Sequence, residues 1–325
     1  MGNTEFSATP AEAAIVDTVT SEAVLTALRI GFIGAGRVAQ TLAPAFDRAN
    51  LKVVACYNRS PDAAQRLRSR VASAQLATHA QEVADRCDLV FLSVSDDSIA
   101  PVCRDLRWQA HHRVVHCSGA TEIAALDPAR SAGAATGGFD PMQMFANPDV
   151  ALEGLRGCTV GIEAEPGFSG ELETLAKMIG CRPLALPAGV RPLYHASAYY
   201  VGPFLIALLK EGVELWKSFG ASEADALRAM TPLLRGTLSA VLDGGLANGM
   251  GGCVARGDIG TIDKHLAALD QRFPCSGELY RELALRTVPL GIERGTLQPE
   301  RAAEIELLLR QLGRTTPESD TDRAQ

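Results

Sequence analysis

The sequence predicts an α/β protein, with a doubly wound, mostly parallel sheet over residues 28–187 followed by an all-helical domain over residues 188–313. Three observations predict it. A short apolar run, Arg29 to Ile33, enters a glycine turn that opens straight into a helix-forming stretch. Further apolar runs of strand length alternate with helix-forming segments as far as Pro187, the pattern of parallel strands joined by crossover helices. Beyond Pro187 the strand signal fades and long amphipathic segments take over.

Residues 1–27 are small, polar and slightly acidic, and read as a loose arm with at most one short helix around Ser21 to Leu28. The first strand runs into Gly34-Ala35-Gly36-Arg37-Val38-Ala39, the G-x-G-x-x-A spacing of the Rossmann dinucleotide fingerprint. Gly34 permits the tight turn. Gly36 lets the backbone approach a pyrophosphate, which would rest on the positive end of a helix from Arg37 to about Ala49. Ala39 is small enough for close packing of helix on strand. The same pattern also describes an ordinary tight turn, but Leu51 to Tyr57 supplies a second buried strand and completes a βαβ unit of about 30 residues.

At the end of that second strand an NAD site usually carries an acidic residue, about 20 residues past the glycines. Here the chain reads Asn58-Arg59-Ser60. Arg59 offers a planar donor fork suited to a 2′-phosphate, with the Ser60 hydroxyl and the next helix start beside it, so the expected cofactor is NADP. A solvated arginine and a Ser60 helix cap ahead of Pro61 form the plainer alternative.

A helix after Pro61, a short strand near Leu76 and an apolar strand from Asp88 to Val94 follow. Ser95-Asp96-Asp97 opens a helix with two carboxylates at its positive end. Arg113 to Cys117 forms another buried strand, ending in Ser118-Gly119-Ala120. Ligands of doubly wound sheets bind outside the carboxyl ends of the strands. Ser95, Asp96, Ser118 and Gly119 are therefore expected to share a crevice with the glycine loop. Cys158 to Glu163 and Arg182 to Leu186 flank a helical stretch, Glu171 to Ile179, and extend the sheet. Amphipathic segments at 190–218, 222–247, 258–270, 276–292 and 299–312 build the helical domain, and residues 314–325 form a disordered polar tail.

Composition narrows the function classes. The chain has 325 residues and a formal charge of −7, which offers no basic surface to a nucleic acid. No run reaches about 18 apolar residues and no basic-then-apolar leader stands at the start, so a soluble, cytoplasmic protein away from membranes is expected. The 8 cysteines are scattered without a C-x-x-C pair and read as reduced core residues. The histidines lack metal-ligand spacing, so no metal is expected; His111-His112 reads as a solvated loop.

Four separated stretches, VVHCSGA at 114–120, GGFDPMQMF at 137–145, YHASAYYVGPFLIALL at 194–209 and CVARGDIGTIDKHL at 253–266, carry a family resemblance. Together they resemble the mostly uncharacterised Rossmann-like bacterial oxidoreductases with a helical C-terminal domain of unknown function. That family is similar in architecture to pyrroline-5-carboxylate reductase, 3-hydroxyisobutyrate dehydrogenase and 6-phosphogluconate dehydrogenase. The resemblance covers residues 28–312. It implies NADP-dependent reduction of a carbonyl or imine of a small metabolite, carboxylate-bearing or not, and a homodimer built through the helical domain.

This chain departs from the family at three places: Asp140-Pro141 replaces the usual His-Pro, Gly202-Pro203 replaces Ser-Asn, and Cys253 stands where proline is common. The lysine and asparagine of the hydroxyisobutyrate and phosphogluconate relatives align with Tyr199 and Pro203. Their lysine-based proton chemistry therefore does not carry over, and Lys210 reads as a surface lysine.

Because a nicotinamide supplies the hydride, the protein has only to orient a substrate and move one proton. His195 leads as proton carrier, since histidine titrates near physiological pH and this one opens a helix. Tyr199, one turn on, shares its face and suits substrate orientation. Arg256, beside Gly257, suits a bidentate clamp on a substrate carboxylate. Asp140, in a glycine-rich loop, could replace the family's histidine, although an aspartate before proline is commonly a turn former. Asp258 reads as a helix cap and Ser118 as a nicotinamide contact. A second function class stays open, an NADP-binding sensor or interaction protein without turnover; a different nucleotide-like redox cofactor is a third reading.

Overall fold

A computed structural model describes residues 22–311. Most of the arm expected over 1–27 and the whole tail over 314–325 lie outside the described residues; residues 22–27 are helical. The chain divides into two compact units between Phe204 and Leu205.

The first unit is an eight-stranded sheet of order β3-β2-β1-β4-β5-β6-β7-β8. Its strands are β1 (Arg29–Ile33), β2 (Lys52–Tyr57), β3 (Gln75–Leu76), β4 (Leu89–Leu92), β5 (Arg113–His116), β6 (Ala135–Pro141), β7 (Thr159–Ala164) and β8 (Arg182–Ala185). Every neighbouring pair is parallel except β6 and β7. The order reverses between β1 and β4, the switch point at which doubly wound sheets bind ligands. Around the sheet lie α1 (Arg37–Arg48), α2 (Pro61–Arg70), α3 (Ala80–Arg86), α4 (Asp96–Asp105), α5 (Asp127–Ser131), α6 (Pro148–Glu153), α7 (Pro166–Met178) and α8 (Arg191–Val201). Proline stands in the first turn of α2, α6, α7 and α8, where its missing N–H costs no helical bond.

Two apolar clusters cover the sheet. In one of them Phe32, Phe46, Phe91 and Phe139 pack ring against ring, with neighbouring centroids 5.2–6.5 Å apart. This anchors α1 and β6 to the centre of the sheet, and with them the loops at its carboxyl edge.

Three expectations need correction. Asp140 is not in a glycine-rich loop but near the end of β6, opposite Gly161 of β7. Gly137 and Gly138 hid the strand, because glycine carries no strand signal; at Gly137 an added Cβ would lie 2.8 Å from Leu172 Cδ1. The division between units falls at Phe204 rather than 187, because α8 is tied to the sheet by buried side chains. The amphipathic segment 190–218 breaks at Gly202, since Pro203 has no N–H to continue α8 and starts a new helix instead.

The second unit is helical: α9 (Pro203–Lys217) leads the chain into it, followed by α10 (Glu223–Gly249), α11 (Gly252–Ala255), α12 (Ile259–Arg272), α13 (Pro274–Glu293) and α14 (Pro299–Arg310). Val254, Ile262, Leu266, Val288, Ile305 and Leu309 lie in its core. Asp258 caps α12 by accepting from Thr261 N at 3.1 Å, as the sequence indicates. Among the described residues no helix is long and apolar enough to cross a membrane.

Candidate functional site

Because β1, β2, β4 and β5 run parallel, the loops that follow them open on one edge of the sheet. Gly34 sits there at φ +99°, a conformation that residues with side chains rarely adopt, and an added Cβ would also run into the Ser93 carbonyl. The turn is pinned at both of its polar groups. Gly34 N donates to Tyr57 O at 2.8 Å, and Ser93 Oγ donates to Gly34 O at 2.8 Å. Asn58 Oδ1 accepts from Ala35 N at 3.0 Å, which fastens the loop to the end of β2.

Gly36 is different in kind. It precedes α1 with an ordinary φ of −71°, and an added Cβ would meet nothing within 4 Å. No side chain caps α1 and no acidic residue occupies its first turn, so its leading N–H groups stay available to an anion. Gly34, Gly36, Asn58, Arg59 and Ser95 line a cleft of about 460 Å³, within the range of small-molecule sites. Arg59 is exposed and forms no ion pair with another described residue. Ser60 precedes α2, but its hydroxyl makes no capping bond.

Further along the same edge, α8 brings a second group of residues onto the ends of β5, β6 and β7. Arg191 is fully buried; its Nε donates to Glu163 Oε2 at 2.7 Å and its Nη1 to Ser118 O at 2.7 Å. It lies over Gly138, where any Cβ would collide with the guanidinium. Tyr194 Oη donates to Asp140 O at 3.1 Å. An added Cβ on Gly119 would strike His195 Nδ1 and come within 2.6 Å of Asp140 Oδ2, so the imidazole and the carboxyl flank one backbone carbon. The His195 and Tyr199 rings meet edge to face at 5.4 Å.

Burial sets the electrostatics. It pushes the Asp140 carboxyl up to about 7, with the Arg191 charge pulling down against it and Asp96 pushing up. Burial also drives His116 down to about 3, assisted by the nearby Arg191 charge. His116 Nδ1 accepts from Ser118 N at 3.2 Å, leaving Nε2 buried without a protein partner, as is Arg191 Nη2. Glu163 is raised by desolvation despite its bond to Arg191. The arrangement sets a carboxyl that exchanges its proton near neutrality beside an imidazole, which suits general acid–base work.

Breaking a buried ion pair by displacing one partner costs about 3–5 kcal/mol. Gly138→Ala should therefore destabilise the protein by roughly that amount, as its methyl would displace the Arg191 guanidinium. Urea unfolding checks this; an unchanged midpoint would show that Arg191 is not held as described.

The structure thus gathers Gly34, Gly36, Asn58, Arg59 and Ser95 at one cleft, and Ser118, Gly119, Asp140, His195 and Tyr199 around α8. Arg37 turns toward the Ala146 carbonyl, Val38 packs on the core, and Asp96 is exposed in the first turn of α4. The Ser118 hydroxyl is engaged locally, accepting from Thr121 N at 2.9 Å and pairing with Thr121 Oγ1. Arg256 is exposed between α11 and α12 in the second unit. The His111-His112 pair, expected as a solvated loop, splits: His112 is buried, accepts from Gln109 N at 2.8 Å and lies 3.1 Å from Ala84 O. It holds the turn ahead of β5. Sequence reasoning missed Arg191, Glu163 and Tyr194, and set His116 aside with the histidines that lack metal-ligand spacing. Glu163 had a usable signal, a lone acid ending an apolar strand run, which demands a partner if buried.

Residues 16–141 match the sequence model of the Rossmann-like domain, and residues 158–287 match that of a domain of unknown function, DUF2520. Among curated proteins none matches the chain. Several solved structures share its fold. A candidate NADP oxidoreductase, BF3122 of Bacteroides fragilis, is 23% identical with a TM-score of 0.66, over 81% of this chain and 98% of that one. The reductive aminase of Aspergillus terreus, in complex with NADPH and ethyl-5-oxohexanoate, is 16% identical with a TM-score of 0.56, over 87% and 92% of the two chains. The pyrroline carboxylate reductase of Plasmodium falciparum, with NADP bound, is 12% identical with a TM-score of 0.56, over 84% and 98%.

Proposed function

Because the chain joins a Rossmann-like domain to a DUF2520 domain, we propose that it is an NADP-dependent oxidoreductase that reduces a carbonyl or imine of a small metabolite. The observation that carries this reading is the sharing of one sheet edge. It holds an uncapped helix start behind a sterically open Gly36, and also a carboxyl that titrates near neutrality beside an imidazole. The cofactors named with the reductive aminase and the pyrroline carboxylate reductase support the choice of a nicotinamide dinucleotide.

The residues fit such a cofactor. The first-turn N–H groups of α1 would hold its pyrophosphate, and Arg59 its 2′-phosphate. When bound, the nicotinamide supplies the hydride. The chain's own part is the proton. Asp140, neutral below about pH 7, can hold a proton at its carboxyl, and His195 beside it can exchange that proton or orient the acceptor. Tyr199 packs edge to face against His195 and restricts its ring. A homodimer would give the exposed Leu233, Leu238, Leu242 and Leu246 of α10 an apolar partner surface.

Arg59→Ala should weaken NADPH binding by roughly 10- to 150-fold, the worth of about 1.5–3 kcal/mol for a charge-assisted contact, and leave NADH binding nearly unchanged. Calorimetric titration of both proteins with both cofactors checks this, and equal losses would overturn the 2′-phosphate assignment. The second reading, a cofactor-dependent sensor, is favoured by what the family resemblance implies: Tyr199 and Pro203 align with the lysine and asparagine of the hydroxyisobutyrate and phosphogluconate dehydrogenases. NADPH oxidation against keto acids, semialdehydes and cyclic imines separates the two. Turnover supports the enzyme; NADPH binding without turnover, coupled to a change in assembly, supports the sensor.

A further inference from the structure

Cys158 and Cys181 are 23 residues apart in sequence and belong to no C-x-x-C motif, yet the sheet sets them side by side. They immediately precede β7 and β8, which are parallel and pair Thr159 with Arg182. Backbone bonds bracket the two cysteines: Gly157 N donates to Gly180 O at 2.8 Å, and Arg182 N donates to Cys158 O at 2.8 Å. In-register residues of adjacent strands point to the same face, with backbones about 4.8 Å apart, and a disulfide bridges Cα atoms about 4.4–6.8 Å apart. The two residues also share an acceptor, since the Leu155 carbonyl takes Cys158 N–H at 2.9 Å and the Cys181 thiol at 3.2 Å.

The pair is asymmetric. Cys158 is half-buried, whereas Cys181 is buried. The neighbouring Cys181 thiol holds Cys158 below the usual thiol range, while that same contact and burial push Cys181 up. A more acidic, accessible thiol beside a buried one is the division of labour of an attacking and a resolving cysteine.

We infer that Cys158 and Cys181 form a reversible dithiol–disulfide pair, oxidised by hydrogen peroxide and restored by a dithiol. The Cys158 thiolate attacks the peroxide O–O bond and becomes a sulfenic acid, and the leaving hydroxide takes up a proton as water. The Cys181 sulfur then attacks Cys158 Sγ, the S–S bond forms, and the sulfenic oxygen leaves as a second water with the Cys181 proton. Two electrons pass from the thiols to the peroxide. The site stands apart from the cofactor reading, but it borders the same edge. The Cys158 thiol donates to Met142 O at 3.4 Å, two residues beyond Asp140, and closing the disulfide removes that donor.

Trypsin cuts at Lys177, between the two cysteines, so the pairing is readable by mass. The full-length protein, treated with stoichiometric hydrogen peroxide and then alkylated, should yield a peptide pair linked through Cys158 and Cys181 that dithiothreitol separates. In Cys181→Ser, dimedone should label Cys158; in Cys158→Ser it should leave Cys181 unlabelled. Alkylation of both thiols at a dose that oxidises the exposed Cys275 would overturn the proposal, as would a Cys158 link to any other cysteine. The wild-type digest decides the question even if a variant fails to fold.

Discussion

Gly36→Val should lower NADPH affinity by about two orders of magnitude or more, at least roughly 2.7 kcal/mol, while leaving the fold intact. The separation of effects follows from local geometry. At Gly36 the backbone is ordinary and an added Cβ meets no protein atom within 4 Å, so the free protein can accept the side chain. The space it fills is the approach to the leading N–H groups of α1, where a pyrophosphate needs direct contact with the backbone. Gly34→Val is the contrasting substitution. There φ is +99° and the Ser93 carbonyl stands in the way, so the fold itself should suffer. Circular dichroism with calorimetric titration reads both. Undiminished binding in Gly36→Val would mean that the glycine sequence is only a turn.

Asp140→Asn should depress turnover by about 10²- to 10⁴-fold, the usual contribution of a general acid, with little change in NADPH affinity. The wild-type reductive rate should fall as pH rises through about 7, because the donating form of the carboxyl is lost there. Stability gives a readout that does not depend on finding a substrate. An aspartate in the unfolded chain ionises near 4, while Asp140 in the folded protein keeps its proton to about 7. Between those values the folded state binds more protons, so stability declines as pH rises across the window, and the loss is complete above it. Asparagine has no charge to bury. The variant should therefore melt at a higher temperature than wild type at pH 8, and gain much less at pH 4. Equal gains at both pH values would remove the half-buried carboxyl from the account, and full turnover in the variant would remove it from the chemistry.

Much of the fold was legible in the sequence because its signals are local. Apolar runs of strand length, the turn at Gly34 and the prolines that open helices each report on a few consecutive residues, and their alternation with helical stretches indicates a parallel, doubly wound sheet. That the glycine loop and Arg59 face one cleft was legible for the same reason. A single strand-turn-helix unit fixes how they face one another, and the structure finds Gly34, Gly36 and Arg59 around one cleft.

The second half of the candidate site was decided by tertiary structure. Asp140 and His195 meet at Gly119, and Arg191 joins Glu163 to the Ser118 carbonyl, across separations no short-range pattern encodes. The antiparallel pairing of β6 with β7 brings this about, and a strand carrying Gly137 and Gly138 gives no sequence sign of being a strand at all. Those glycines are needed for what they lack: with no side chain at 138, the guanidinium can lie directly on the sheet. Local propensity describes what a residue adds to its own segment, whereas this site depends on space left open for a residue from another segment.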